Sequence, residues 1–379
     1  MQIVIYESSS FGGCFEYSQQ IAEAYRLQPN VASVTLILPH THTSTDSNVQ
    51  GILCADVTQQ TSILGRKLHF LWRNVSNPFR LFRFLISTPA SWVLLNDFEQ
   101  LTAVLWVPFY KVFLRKHRFA VLLHDPDRDQ YPPAKWFSAV SMRMLMWAMN
   151  IGFYHEVLPP KWYYQGRATN YVALPHGIYP EAVSDALFTK RIQHFANGRH
   201  LFLIPGNVRA EKNTAMILSA LQSVPNACVL IVGKAASGTV DTPELEQLMR
   251  LPALKGRCMW ENRYVTAPEM AAAMQQANTV MLYYSASFRS QSAILNSVAP
   301  YRKQILVSDT QSALSHIVIK FDLSKLVPPD NPDALTLAMK QCTQNCADNT
   351  AHWNAYLEYA SWRNNAQIAL AAMNRKVAI

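Results

Sequence analysis

Residues 201–213, LFLIPGNVRAEKN (Leu201–Asn213), set the architecture of the chain. Leu201-Phe202-Leu203-Ile204 is an apolar run of strand length, and Pro205-Gly206 closes it with a turn signal. A short polar loop carries Arg209 and Lys212, and from about Asn213 the spacing of Met216, Ile217, Ala220 and Leu221 is that of an amphipathic helix. In an open α/β sheet such a loop lies at the carboxyl end of a strand, the edge where these folds bind their ligands. Two cations three residues apart at the mouth of a helix suit a diphosphate, which Arg grips with a planar fork and Lys with a mobile point charge. The same two residues also make an ordinary solvated basic turn. The neighbouring segments have to decide between these readings.

Those neighbours repeat the strand–helix alternation. Cys228–Val232 reads as a strand ending at Gly233, Thr242–Met249 as a helix opened by Thr242-Pro243, and Met259–Tyr264 as a further strand. Thr266-Ala-Pro-Glu269 is a capping box for a helix over Pro268–Gln276. Thr279–Tyr283 is a strand that runs into Tyr284-Ser-Ala-Ser-Phe-Arg-Ser-Gln-Ser292, and a helix starts at about Ala293. Gln304–Ser308 predicts a strand, and Pro332–Lys340 and Trp353–Met373 predict helices.

The first half begins in the same manner. Gln2–Tyr6 is a buried-type strand followed by Gly12-Gly13 and a helix over Tyr17–Leu27. The glycine pair fits a phosphate loop or a turn needing φ > 0, but G-x-G-x-x-G is missing, as is an acidic residue after the second strand, Val31–Leu38. These absences argue against a dinucleotide enzyme. Phe119–Leu123 is a strand ending in His124-Asp125-Pro126-Asp127-Arg128-Asp129, which places a histidine and carboxylates at the ligand-facing edge. After a helix over Trp136–Met149, a short strand near Tyr171–Leu174 stops at Pro175-His176-Gly177, and residues 179–199 connect to the second half. Between them, residues 65–85 interleave Arg66, Lys67, Arg73, Arg80 and Arg83 with Phe70, Leu71, Trp72, Phe79, Phe82 and Phe84 and hold no acidic residue. Such a stretch lies at an anionic bilayer surface, packs its aromatics into a core as an amphipathic helix, or stacks them on the bases of single-stranded nucleic acid.

Composition bounds the rest. The chain has 379 residues, half of them hydrophobic and 16% charged, which suits two folded domains. A formal charge of +9 favours anionic partners. Nucleic acid is not expected, because no recognition module accompanies the charge. Of the six cysteines only Cys342 and Cys346 are close, with no histidine at ligand spacing, so neither a zinc site nor a disulfide framework is expected. No apolar run approaches the ~18–20 residues needed to span a bilayer, and the N-terminus reads directly as a strand. The expected location is the cytoplasm, with contact to the inner face of the cytoplasmic membrane.

Taken in chain order, these segments resemble the GT-B glycosyltransferases, glycosyltransferase family 4 in particular. The carriers are Gly12-Gly13, the strand ending in His124, Pro175-His176-Gly177, the run Gly206-Asn-Val-Arg209-Ala-Glu-Lys212-Asn213, Leu230-Ile-Val-Gly233 and the final helix with Trp362. The resemblance implies an α/β fold of two Rossmann-like domains facing across a cleft: residues 1–185, joined by a helix crossing back over about 360–379, and residues 186–359. It implies transfer of a sugar from a nucleoside-diphosphate sugar to a lipid-linked or polysaccharide acceptor, with retention and no required metal. Arg209 and Lys212 would neutralise the departing diphosphate. His124 would contact the transferred sugar or the acceptor, and Asp125 is the candidate base if the reaction inverts. The donor side would comprise Gly12, Gly13, Gly206, Gly233, Tyr264, Arg289, Ser290, Gln291, Ser292 and Asn296. One departure stands out: where the family carries two glutamates, this chain has Phe288 and Asn296. That loss also fits a non-catalytic glycosyltransferase-like subunit.

Overall fold

The computed structural model describes residues 1–56, 62–128, 134–166, 169–236, 238, 240–344 and 349–375; Asp129 and Cys346 lie outside the described residues. The chain divides into two units, Met1–Gly177 with Ser361–Ile379, and Ile178–Ala360. The first crossover thus falls at Gly177/Ile178 rather than at 185/186, and residues 186–196, expected within a connection, form a helix capped by Asp185.

Unit 1 is built on a seven-stranded parallel sheet. Its strands are β1 (Gln2–Tyr6), β2 (Ser33–Pro39), β3 (Val49–Leu53), β4 (Trp92–Leu95), β5 (Arg118–Leu123), β6 (Ile151–Tyr154) and β7 (Asn170–Ala173). Their order is β3-β2-β1-β4-β5-β6-β7. The central strands β1, β4 and β5 are buried on both faces, which is why they read as continuous apolar runs. Ile3, Ile5, Leu94 and Leu122 pack towards the helices Gly13–Arg26 and Trp362–Arg375, whereas Val4, Val93 and Val121 pack on the other side with Leu81, Trp106 and Met142.

Unit 2 has a six-stranded parallel sheet: β8 (His200–Pro205), β9 (Ala227–Val232), β10 (Cys258–Glu261), β11 (Thr279–Leu282), β12 (Gln304–Ser308) and β13 (Leu326–Val327). The order is β10-β9-β8-β11-β12-β13. In each sheet the direction of winding reverses once, between β1 and β4 in unit 1 and between β8 and β11 in unit 2. The carboxyl ends of these strand pairs are the topological switch points, where the flanking loops diverge and leave room for a ligand.

The expected single helix over Trp353–Met373 is two helices, Thr350–Tyr359 in unit 2 and Trp362–Arg375 in unit 1. The Ser361 hydroxyl accepts the Asn364 amide and starts the second helix, while the Ala360 carbonyl accepts the N–H of Ile178. Trp362 lies over Gly177 so closely that a Cβ there would meet the indole at 2.2 Å, which explains the glycine of Pro175-His176-Gly177.

Candidate functional site

The loop after β8 is shaped by a pair of glycines. Gly206 has φ +76° and Gly233, at the end of β9, has φ +146°. A Cβ on Gly233 would stand 2.4 Å from the Gly206 carbonyl oxygen, so the two backbones meet at a distance that no side chain permits. This contact holds the loop flat against the sheet edge, and an isolated bridge between Val208 and Ala235 continues it.

Lys212 differs from the expectation of an exposed cation. It is 6% exposed, and its Nζ donates to the carbonyl of Pro205 beneath the loop. A Cβ at Gly206 would approach that Nζ to 3.3 Å, so the glycine also makes room for the ammonium. Burial, and then the nearby Arg209 charge, push the Lys212 pKa down to about 7. Arg209 is exposed, and its Nε pairs with Glu211 at 3.1 Å. A carboxylate of the loop itself thus occupies the guanidinium, while a partly discharged lysine waits below it.

The loop after β11 faces the same switch point. Glu211 accepts the Ser285 amide on its main-chain carbonyl, and Asp330 ties the two loops by accepting from Asn213 Nδ2 and from the Ala286 amide. The two positions where carboxylates were missing prove to be core. Phe288 stacks on Tyr284 at 4.1 Å between centroids. Asn296, expected on the donor side, is fully buried and accepts the Tyr356 hydroxyl; packing of the helix Ala293–Val298 turns it inward. Arg289 donates from one Nη to the carbonyls of Ala286, Phe288 and Thr310, clamping its own loop. Ser292 is buried and pairs with the Tyr284 hydroxyl at 2.8 Å. The adjoining Ser290 is half-buried. Both amide atoms of Gln291, Oγ1 of Thr214 and Nδ2 of Asn296 are buried without a hydrogen-bond partner. Polar atoms left in that state cost about 1–3 kcal/mol each and mark places where a polar ligand or water belongs. Tyr264, three residues beyond the end of β10, stays 73% exposed with Lys234 over its ring.

The unit 1 switch point has the opposite character. Gly12, at φ +84°, precedes the helix Gly13–Arg26, and neither Gly12 nor Gly13 has an atom within 4 Å of where its Cβ would stand. Around them sit carboxylates that the sequence reading passed over: Glu7 after β1, and Asp97 and Glu99 after β4. Glu99 accepts from the hydroxyl of Tyr6 and from Asn77, Asp97 from Ser8, and Glu7 from Asn96. Burial, reinforced by the Asp97 charge, pushes Glu7 up to about 8 and Glu99 up to about 7. A cavity of about 500 Å³ opens beside them, lined among others by Ser8, Asp97, Glu99, Gln100 and Arg128.

His124, at the end of β5, is half-buried; its Nε2 meets Asn96 Oδ1 at 3.1 Å, and burial together with the neighbouring His155 and His176 holds it well below the usual histidine range. It is therefore a neutral imidazole. Asp125 accepts the Asp127 amide in the turn that follows, and Asp127 pairs with Lys161 at 2.9 Å.

The basic-aromatic stretch is one helix, Ile63–Ser87, capped by Ser62 and ended at Thr88, whose extended backbone the following Pro89 requires. Arg73 is corrected from the surface set: its guanidinium turns inward, donates to the carbonyls of Ser8 and Asp56, and lines the cavity. Arg66, Lys67, Arg80 and Arg83 are exposed, with Arg80 also donating to Ile52 O. So are Leu68, Leu71, Trp72 and Phe79, and Phe79 meets Phe109 of the helix Ala103–Phe113 at 5.9 Å. Phe113, also exposed, extends this apolar face. No helix among the described residues is long and apolar enough to cross a membrane.

No family model matches the chain, and no curated protein does. Solved structures match along its length. HepE of Anabaena, solved with UDP and glucose, has a TM-score of 0.68 at 13% identity, covering 99% of this chain and all of that one. Sucrose-phosphate synthase of Thermosynechococcus elongatus gives 0.67 at 14%, covering 99% and 98%. WaaG, a glycosyltransferase involved in lipopolysaccharide biosynthesis, gives 0.62 at 12%, covering 98% of each chain. The fold is that of the GT-B glycosyltransferases, two Rossmann-like units with parallel sheets of seven and six strands.

Proposed function

We propose that the protein is a glycosyltransferase that takes its sugar from a nucleoside-diphosphate sugar, and that unit 2 binds the donor. The observation that carries this reading is the buried Lys212 under Gly206, beside Arg209, at the switch point of unit 2. A diphosphate arriving there displaces Glu211 from Arg209 and returns a full charge to Lys212. Both cations then meet the negative charge that builds on the leaving group, where a preorganised site stabilises it most. The two cations do this without a required metal, and the product retains the donor's anomeric configuration. Gln291 and Thr214 supply buried polar atoms for donor hydroxyls. The neutral His124 is suited to hydrogen-bond the sugar or acceptor.

The acceptor binds unit 1 at the carboxylate-lined cavity and is lipid-linked or a growing polysaccharide of the cell surface. The exposed apolar face around Trp72, Phe79 and Phe113, rimmed by Arg66, Lys67 and Arg83, docks on an anionic bilayer, consistent with the net charge of +9. A second reading has one specific observation in its favour. Phe288 and Asn296 occupy core positions where the family that the sequence resembles carries two glutamates, as in a subunit that binds nucleotide without turning it over.

The test is release of nucleoside diphosphate from a panel of UDP-, GDP- and ADP-sugars, with membrane lipid extract as acceptor source. Release that requires Lys212 supports the transferase. Nucleotide binding without release with any donor supports the non-catalytic subunit.

A further inference from the structure

Three histidines from distant parts of unit 1 meet in one place: His124 after β5, His155 after β6, and His176 in the turn ahead of the crossover. One ligand nitrogen from each lies within 4.8 Å of the other two. Their ring centroids are 4.9–6.5 Å apart, packed around the ring of Tyr17 with Trp362 beyond it. On each imidazole one nitrogen is held from outside. His124 Nε2 faces Asn96 Oδ1, His155 Nδ1 faces the Leu174 carbonyl at 3.0 Å, and His176 Nδ1 faces the Gly177 carbonyl at 3.1 Å. At His155 the Leu174 carbonyl fixes the N–H on Nδ1 and leaves the lone pair on Nε2, as outer-shell partners do for metal-bound histidines. His155 is 3% exposed, and its Nε2 is buried with no hydrogen-bond partner.

We propose that His124, His155 and His176 form a binding site for a divalent transition-metal ion of the zinc class. Three neutral imidazoles with no carboxylate in the set select zinc, cobalt or nickel over magnesium or calcium. A tetrahedral ion with bonds of about 2.0–2.1 Å needs nitrogens about 3.4 Å apart, so the rings close in by rotation about their side-chain bonds. The fourth position is left to water or an exogenous ligand. His124, the half-buried member, is the side from which the ion enters. The ion staples β5, β6 and the turn before the crossover, all within unit 1. It shares His124 with the proposed sugar or acceptor contact, but a metal titration made without donor or acceptor reads the ion alone, so the two proposals fail separately.

The experiment is a titration of the chelator-treated, full-length protein with Co²⁺, followed by visible absorption, and then displacement by Zn²⁺. The expected result is one equivalent bound with the ligand-field bands of a four-coordinate site, no thiolate charge-transfer band, and stoichiometric loss of colour on adding Zn²⁺. His155→Gln and His176→Gln each weaken Co²⁺ binding by more than about 100-fold, beyond the loss expected for an outer partner alone. Circular dichroism and thermal melting of the metal-free variants report whether they fold. A wild-type protein that develops no four-coordinate spectrum, or shows a thiolate band in its place, overturns the site without reference to any variant. A spectrum that persists unchanged in a folded His155→Gln protein does the same.

Discussion

The two halves of this molecule share a topology and differ in the sign of what they gather at its switch point. After β8 and β11, unit 2 holds Arg209, Lys212 and Arg289. After β1 and β4, unit 1 holds Glu7, Asp97 and Glu99, two of them with raised pKa values. A parallel sheet determines where the loops part, and the few residues on those loops determine which charge is welcome there. Both sites keep a titrating group buried in its less charged form, a lysine near 7 in one and carboxyls near 7 and 8 in the other. Each group is thereby poised to gain charge when a partner of opposite sign arrives.

The most severe way to break the comparison is to block the backbone contact on which the basic loop rests. Gly233→Ala puts a Cβ against the Gly206 carbonyl at a φ of +146° and is expected to destabilise unit 2 by about 3 kcal/mol in urea unfolding, whereas the same change at the open Gly13 costs far less. Lys212→Ala comes next. Losing a charge-assisted contact worth about 1.5–3 kcal/mol weakens UDP binding roughly 10- to 100-fold by calorimetry. The wild-type affinity should also fall as pH rises above about 7, because the free protein then holds Lys212 uncharged and binding must recover a proton.

Unit 1 sharpens the contrast because its buried carboxyls gain negative charge over the same pH range in which Lys212 loses positive charge, and the readout is stability rather than affinity. Glu7 and Glu99 hold their protons more tightly folded than unfolded, so their contribution to stability is complete below about pH 4.5 and is lost as pH rises through about 7 to 8. Glu99→Gln, which still accepts from Tyr6 and Asn77, should flatten that decline and leave the variant more stable than wild type at pH 8. The smallest effect is at the exposed apolar face that we propose docks on a bilayer. Lys67→Ser or Arg83→Ser alone should lower partitioning onto anionic vesicles about fivefold, at ~1 kcal/mol per cation, with neutral vesicles unaffected.

Much of this was legible because it follows from local rules. Buried parallel strands such as β8 and β9 announce themselves as apolar runs, and the Thr266–Glu269 capping box forms as its residues predict. Strands β4 and β6, four residues each, are too short to carry a periodic signal, so the carboxylates after β4 went unassigned. Lys212 was identifiable as a cation but not as a buried one, because its burial depends on the absent side chain of Gly206 and on a carbonyl seven positions earlier in the chain. Arg73 looked like its basic neighbours on the same helix, yet it turns inward to acceptors at Ser8 and Asp56. His155 carries no motif at all. Its significance arises only where β5, β6 and the crossover turn bring three remote histidines together.

The central claim is that the anion belongs to unit 2 and not to the cavity of unit 1, and one calorimetric comparison tests it directly. UDP is titrated without metal into the wild type, Lys212→Ala and Arg128→Ala, the last removing a cation from the unit 1 cavity. The account predicts that affinity is lost with Lys212 and kept with Arg128. Affinity that survives Lys212→Ala and disappears with Arg128→Ala would place the diphosphate in unit 1 and contradict it.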